Sequence, residues 1–510
     1  MLLRSHPIDP AVRLAPELVL EIMRHAGDIQ DPFNPPPLDY DGHVRCHRTA
    51  ILGQRSAIET RIALTRVSRL WNGMATPLLY EHISVSTRPA IASLLRVLTS
   101  SSLDGANVSL GRFVKRLDLL TMTWDAVSLQ CAVQLCSLMP RLTTFIAHVD
   151  VTIDPTPLLD ALSPDLRHLR WSRVDVRPEH SDLDILLSRV DEGQRWHPED
   201  GQVLKVSDDV GFVWRAGLAV ERFPQAPGRD VRDIMPYAIP TAQFVAFLDG
   251  HKRLTSLALP FTFISSPAVP PAVVASWRKK HWPSIREWIL QDRTQASAAT
   301  SYFANGAFAH MDSVKFQIDK WQLWEGPSTL IGDFISVHGG ELTSVCFSEG
   351  EDLERYMNVF SRSLSAISLK ACPKIREVHF ALTNELQTQW TDCLARIGNS
   401  SVRMPHIDTI GIRVCQCVFE SSFGRDWDFE HRMECLHRGV CMPWTKAFLN
   451  LTTIRVLDEV NFISYRKMDD VTRKSIVSPA RWTRANIRVE DISGQFLAVF
   501  SKGISSLVEI

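Results

Sequence analysis

A six-residue pattern, apolar-x-x-apolar-x-apolar, recurs along this 510-residue chain and constrains its fold more than any other feature. It reads VKRLDL, LTTFIA and LRHLRW, then LTSLAL, IREWIL, MDSVKF, LTSVCF, IREVHF, IDTIGI and LTTIRV, beginning at Val114 and ending at Val456. The last two apolar positions alternate as a short half-buried strand requires, and the first closes the turn leading into it. From Leu117 to Leu169, and again from Leu257 to Ile410, the middle residues follow one another at steps of 24 to 33 residues. Near-regular spacing carries the argument, because one such match is expected by chance.

Helical stripes stand in front of several of these strands. SLQCAVQLCSLMP precedes Phe145, STLIGDFISVHGG precedes Val345, and ELQTQWTDCLARIG precedes Ile410; each stops at Pro or Gly. Helix, turn and short strand at about 30 residues is the signature of a leucine-rich-repeat solenoid, with the helix outside and a short parallel strand inside. Two ordinary α/β domains would be the alternative. The 88 residues between Leu169 and Leu257 carry no alignable repeat, so a segment near 177–245 is either irregular or inserted. ISSLVEI, Ile504 to Ile510, reads as one further partial repeat with Glu509 in an apolar position.

The front of the chain has a different period. In LAPELVLEIMRHAG, Leu14, Leu18 and Ile22 recur at four-residue steps on one helical face, which Val19 and Met23 widen. Pro16 leaves no amide unsatisfied in a first turn, and Glu17 complements the positive end of the helix dipole. Pro35, Pro36 and Pro37 mark a loop over about 28–60. Between Glu59 and Val85, Ile62, Leu64, Val67, Leu70, Trp71, Met74, Leu78 and Leu79 predict helices with one buried stripe, and Pro77 is expected at a boundary.

LAPELVLEIMRHAG resembles the first helix of the F-box, and ALTRVSRLWNGMATPLLYEHISV is similar to its remaining helices and exit, most of all in fungal F-box proteins. The resemblance spans residues 14 to about 85. It implies an all-α F-box-like unit over 1–85, interrupted by the 28–60 loop and followed by the repeat body over 86–510. It further implies binding to the adaptor Skp1, and through it to a cullin, with Leu14, Pro16, Leu18, Ile22, Leu64, Val67 and Trp71 as contact or supporting residues. The chain would then be the substrate-recognition subunit of an SCF-type ubiquitin ligase. A repeat scaffold whose degenerate F-box merely caps the solenoid is the alternative, since solenoids need capping.

A formal net charge of −1 supplies no field for a generic nucleic-acid or acidic-membrane binder. Ten irregularly spaced cysteines fit a reducing compartment, and no apolar run reaches the length of a membrane span, so cytosol or nucleus is expected. There is no phosphate loop, GxSxG or HExxH, hence no catalytic or cofactor assignment. Cys415, Cys417, His431, Cys435, His437 and Cys441 lack a recognised zinc spacing and read as packing residues. Arg278, Lys279, Lys280 and His281, flanked by Trp277 and Trp282, read as a solvated helix surface anchored by tryptophan. If the body is a solenoid, the residues between and after the buried strand pair form its concave recognition row. They are Arg116, Asp118, His168, Arg170, Glu287, Gln291, Lys315, Gln317, Glu377, His379 and Arg413, a mixed-sign set suited to an unknown protein target.

Overall fold

The computed structural model describes residues 15–26, 58–85, 87–103, 109–124, 126–151, 154–172, 238–264, 269–317, 327–347, 371–382, 404, 406–414, 444, 447–457, 487–490 and 496–500. Over these residues the chain is an α/β protein built on one long sheet. Strands β1 (His82–Val85), β2 (Arg116–Trp124), β3 (Thr144–Val151) and β4 (His168–Ser172) pair in chain order. The sheet continues with β6 (Ser256–Leu259), β8 (Glu287–Leu290), β9 (Ser313–Phe316), β10 (Ser344–Phe347), β11 (Glu377–Leu382), β12 (Thr409–Val414), β13 (Thr453–Val456) and β14 (Ile487–Glu490). All these pairings are parallel, and β15 (Phe496–Phe500) closes the sheet antiparallel to β14. A separate two-stranded parallel sheet joins β5 (Ala238–Pro240) to β7 (Thr262–Ile264).

The repeated pattern sets the register. Leu117, Phe145, Leu169, Leu257, Trp288, Val314, Val345, Val378, Ile410 and Ile454, the middle residues of the ten patterns, stand opposite one another strand by strand. All three apolar positions of every pattern are buried. A one-residue slip would turn each strand's apolar set outward, so the pattern specifies the pairing strongly. Just ahead of the strands, Thr143, Thr255, Thr343 and Thr452 each add a hydroxyl bond to the carbonyl that their own amide already uses on the preceding strand unit (Lys115, Arg167, Asp312 and Asp408, at 2.9–3.2 Å). The Leu-Thr-Thr/Ser openings thereby stitch successive units together.

β4 pairs directly with β6, His168 opposite Ser256. No strand therefore stands between these two in the main sheet.

Helices precede most strands. The first are α1 (Pro16–Ala26), α2 over residues 58–65, α3 (Arg69–Glu81), α4 (Arg88–Leu103), α5 (Ala126–Ser137) and α6 (Thr156–Ala161). They are followed by α7 (Thr241–Gly250), α8 (Pro271–Trp277), α9 (Arg293–Tyr302) and α10 (Pro327–His338). α5 and α10 are the stripes expected before Phe145 and Val345; the stripe expected before Ile410, the Cys415 to Cys441 cluster and the terminal ISSLVEI lie outside the described residues. Trp288 sits where α7, α10 and the sheet meet, against Phe244, Phe308 and Phe334 at centroid separations of 5.1–6.1 Å. Buried Gln295 on α9 donates to the carbonyls of Leu259 and Phe261 at 2.7 and 2.8 Å, satisfying backbone that has no further ladder partner there.

Two expectations about the front helices are corrected. Pro77 lies inside α3, not at a boundary. Its missing amide is outweighed by burial on either side of it, Ala75 and Leu78 being core residues. Val67 and Leu70 are exposed instead of lying in a buried stripe, because the chain turns at 66–67 and restarts at Ser68, whose Oγ caps the Trp71 amide at 3.2 Å.

Candidate functional site

The N-terminal helices present an apolar surface that the rest of the described chain does not cover. Met23, 1% exposed, anchors α1 against Ala75 and Leu78 of α3, with Val19, Leu20, Leu64, Trp71 and Met74 packed around them. The other side of α1 shows Leu18 at 54% and Ile22 at 52% exposure, one helical turn apart; Val67 at 59% and Leu70 at 68% follow before and at the start of α3. Among the described residues seven large apolar side chains are exposed, and these four are the majority. Large apolar groups gathered on one small unit mark an interaction surface more than a soluble face. Leu18, Ile22 and Val67 are thus available for contact, while Leu64 and Trp71 are half-buried supports. Leu14 lies outside the described residues, and of Pro16 only its place at the start of α1 is described. Leu70 was assigned to the stripe, although its three-residue spacing from Val67 could have marked it as part of this surface.

The Arg61 guanidinium on α2 donates to the Leu78 carbonyl on α3 at 2.9 Å, and the unit is tied to the sheet edge where α3 runs straight into β1 and Lys115 pairs with Glu81 at 2.5 Å.

The polar row on the sheet face is largely neutralised from within. Arg116, Asp118, Arg170, Gln291, Lys315 and Gln317 are buried, and His168, Glu287, Glu377 and His379 are half-buried, so most of the row is not the open surface expected of it. Arg413 has its backbone on β12 opposite Ala381. On β1 and β2, Asp118 takes His82 Nε2 at 2.8 Å and the Arg116 guanidinium at 2.8 and 2.9 Å. Burial would raise its carboxyl, but His82 and Arg116 outweigh that and lower it to about 2. Across β4, β6 and β8, Arg170 reaches Glu287 at 2.8 Å and Ser256 Oγ donates to the same carboxylate at 2.5 Å. Glu287 is lowered despite its burial, by Arg170 and Ser256. His168 is pushed down to about 4, by burial and then by Arg170. Across β11, β13 and β14, Glu377 pairs with His379 Nε2 at 2.7 Å and with Arg455, which also reaches Glu490 at 3.4 Å.

The basic run does not form the helix surface expected of it: α8 ends at Trp277, and Arg278 to His281 follow in the turn after it. Trp277 and Trp282 are buried, Trp282 Nε1 donates to Asp249 Oδ1 at 3.1 Å, and Lys280 pairs with the same carboxylate. Among the described residues no group of three or more His, Cys, Asp or Glu is placed to hold a metal ion, and no helix is long and apolar enough to cross a membrane. No protein-family model matches the chain, and no curated protein does either.

Proposed function

We propose that this chain is a substrate-recognition subunit of an SCF-type ubiquitin ligase, docking a Skp1-like adaptor through its N-terminal helices and a target protein through a leucine-rich-repeat-like body. One observation carries it: α1 is a two-faced helix, Met23 holding it to α3 while Leu18 and Ile22 stay exposed, as do Val67 just before α3 and Leu70 in its first turn. The F-box resemblance falls on the same residues. Support for the body comes from strands that add in chain order with a helix in front of most of them, the arrangement a repeat array requires.

Co-purification of the full chain with Skp1 tests this. Leu18→Asp with Ile22→Asp abolishes capture while leaving the unfolding free energy within about 0.5 kcal/mol, since substitutions of exposed residues cost little. Retained capture by the double variant, or no capture by the wild-type chain, rejects the adaptor reading.

The cap reading is favoured by one observation of its own, the direct run of α3 into edge strand β1. It predicts that Met23→Asp destabilises the whole sheet and that the Leu18, Ile22 pair changes no partner.

A further inference from the structure

The turns that enter β3, β4, β6 and β8 lie side by side along one edge of the main sheet. Backbone bonds run through them in order: the Arg167 amide donates to the Thr143 carbonyl at 2.7 Å, Thr255 to Arg167 at 2.7 Å, and Arg286 to Thr255 at 2.8 Å. Residues 138–143, 162–167, 249–255 and 278–286, which hold these turns, carry eight Lys and Arg against two Asp and no Glu, in a chain whose net charge is −1. The excess is bounded on both sides, since Lys115 ahead of β2 is paired with Glu81 and the row passes from Arg286 to Asp312.

The two carboxylates bridge neighbouring turns. Asp165 takes Arg253 at 2.6 Å; Asp249 takes Lys252 at 3.2 Å and also Lys280, and accepts from Trp282 Nε1 at 3.1 Å. Arg141, Arg167, Arg278 and Lys279 are exposed, and none has a carboxylate partner among the described residues. The ridge is therefore fixed in place by its own acids and still presents uncompensated positive charge. Four strands about 4.8 Å apart spread it over roughly 15 Å, which about five residues of extended chain would cover.

We propose that this ridge is a docking surface for an acidic protein segment, an extended stretch of the target rich in Asp and Glu. Charge complementarity names the sign of the occupant, and the tryptophans name its class. Trp277 packs against Tyr302, and Trp282 against Phe303 and Phe308, so both are committed to the core and offer no platform on which the bases of a single strand could stack. Asp165 and Asp249 also interrupt the row, which a polypeptide can match with a neutral or basic residue and a continuous phosphate backbone cannot. The inference rests on the proposed function in taking the occupant to be a protein target. Its test contains no adaptor, so failure here leaves the Skp1 reading standing, and failure of Skp1 capture leaves this one standing.

The test is fluorescence anisotropy of the full chain with a fluorescein-labelled peptide of alternating Asp and Glu, beside its Asn and Gln counterpart and a single-stranded RNA of equal length. The acidic peptide binds, the neutral one does not, the RNA binds more weakly, and raising the salt from about 50 to about 300 mM weakens the acidic complex at least about tenfold. Arg167→Glu with Lys279→Glu weakens it at least about tenfold, whereas Arg66→Glu with Arg96→Glu, the same change in net charge at exposed positions away from the ridge, changes it less than about twofold. All four side chains are exposed, so both variants keep the wild-type unfolding midpoint in urea. No binding of the acidic peptide, equal binding of the neutral one, or equal losses in the two variants overturns the proposal; tighter binding of the RNA replaces the protein occupant with a nucleic acid and overturns it too.

Discussion

At the residue scale, the side chains hardest to read from the sequence are the charged ones on the sheet face. Arg170 and Glu287 lie 117 residues apart, and Arg455 and Glu377 lie 78 apart, so nothing local announces their pairing. Alternation put them on the opposite side of each strand from the apolar pair, but it could not say whether they would be exposed there. Buried titratable groups on the sheet face and on α10 together give a stability that turns with pH. His338 on α10 is buried, donates through Nε2 to the Ala299 carbonyl at 3.2 Å, and is pushed down to about 4 by that burial. It stays neutral in the folded chain while the unfolded chain protonates near 6.5, so its contribution is full above 6.5 and is lost as pH falls toward 4. Asp118 follows lower, losing its contribution from about 3.8 toward 2. His379 acts in the opposite sense: raised to about 9, its contribution is full below 6.5 and is lost as pH rises through 9. Urea unfolding across pH should show greatest stability near pH 6.5. His338→Asn should flatten the limb from 6.5 to 4 by about 3 kcal/mol. An unchanged acid limb in that variant would contradict the assignment.

At the element scale, the sequence was most legible where three apolar residues and a turn agree, as in Leu342, Val345 and Phe347. β1 was legible too: Tyr80, Ile83 and Val85 fit the pattern, although the segment was assigned to the helical unit. β14 was not, because Val489 takes the middle position between Asn486 and Asp491 where apolar residues would be expected. β15 breaks the rule of parallel addition altogether, and no spacing foretells a reversal. The GGELTS turn illustrates what a motif hides. It ends α10 as expected, yet a Cβ on Gly339 would stand 2.7 Å from Cys372 Sγ and 2.8 Å from the Ala371 carbonyl. Backbone of the next unit cannot retreat as a flexible side-chain end can. Gly339→Ala should therefore cost roughly 1–3 kcal/mol in chemical denaturation, as overpacking does. Gly340→Ala, with open space around it, makes the control, and equal effects at the two positions would refute the close approach.

At the scale of the whole molecule, one hydrophobic core runs without interruption from Val85 to Val489 and passes through Trp171 and Leu257 on either side of the long interval. The direct pairing of β4 with β6 gives this continuity a physical basis: the ladder Leu169 to Leu257 needs no residue from the segment between them. The interval was visible in the sequence as a stretch without alignable repeats, but its spacing could not show that β4 and β6 would be neighbours. Shortening a connection between fixed ends lowers its closure entropy, by about 0.6 kcal/mol for each halving of length. Replacing residues 177–234 with a Gly/Ser linker long enough to join the flanks should therefore leave the sheet assembled. β5 pairs with β7, and α7 packs Phe244 against Phe263 and Trp288, so the junction must leave residues from 238 onward intact. The expected result is a single cooperative urea transition with a wild-type slope, because the same apolar surface of the main core is exposed on unfolding. Two transitions, or a slope reduced in proportion to a lost half of the sheet, would mean that the interval supplies structure joining β4 to β6.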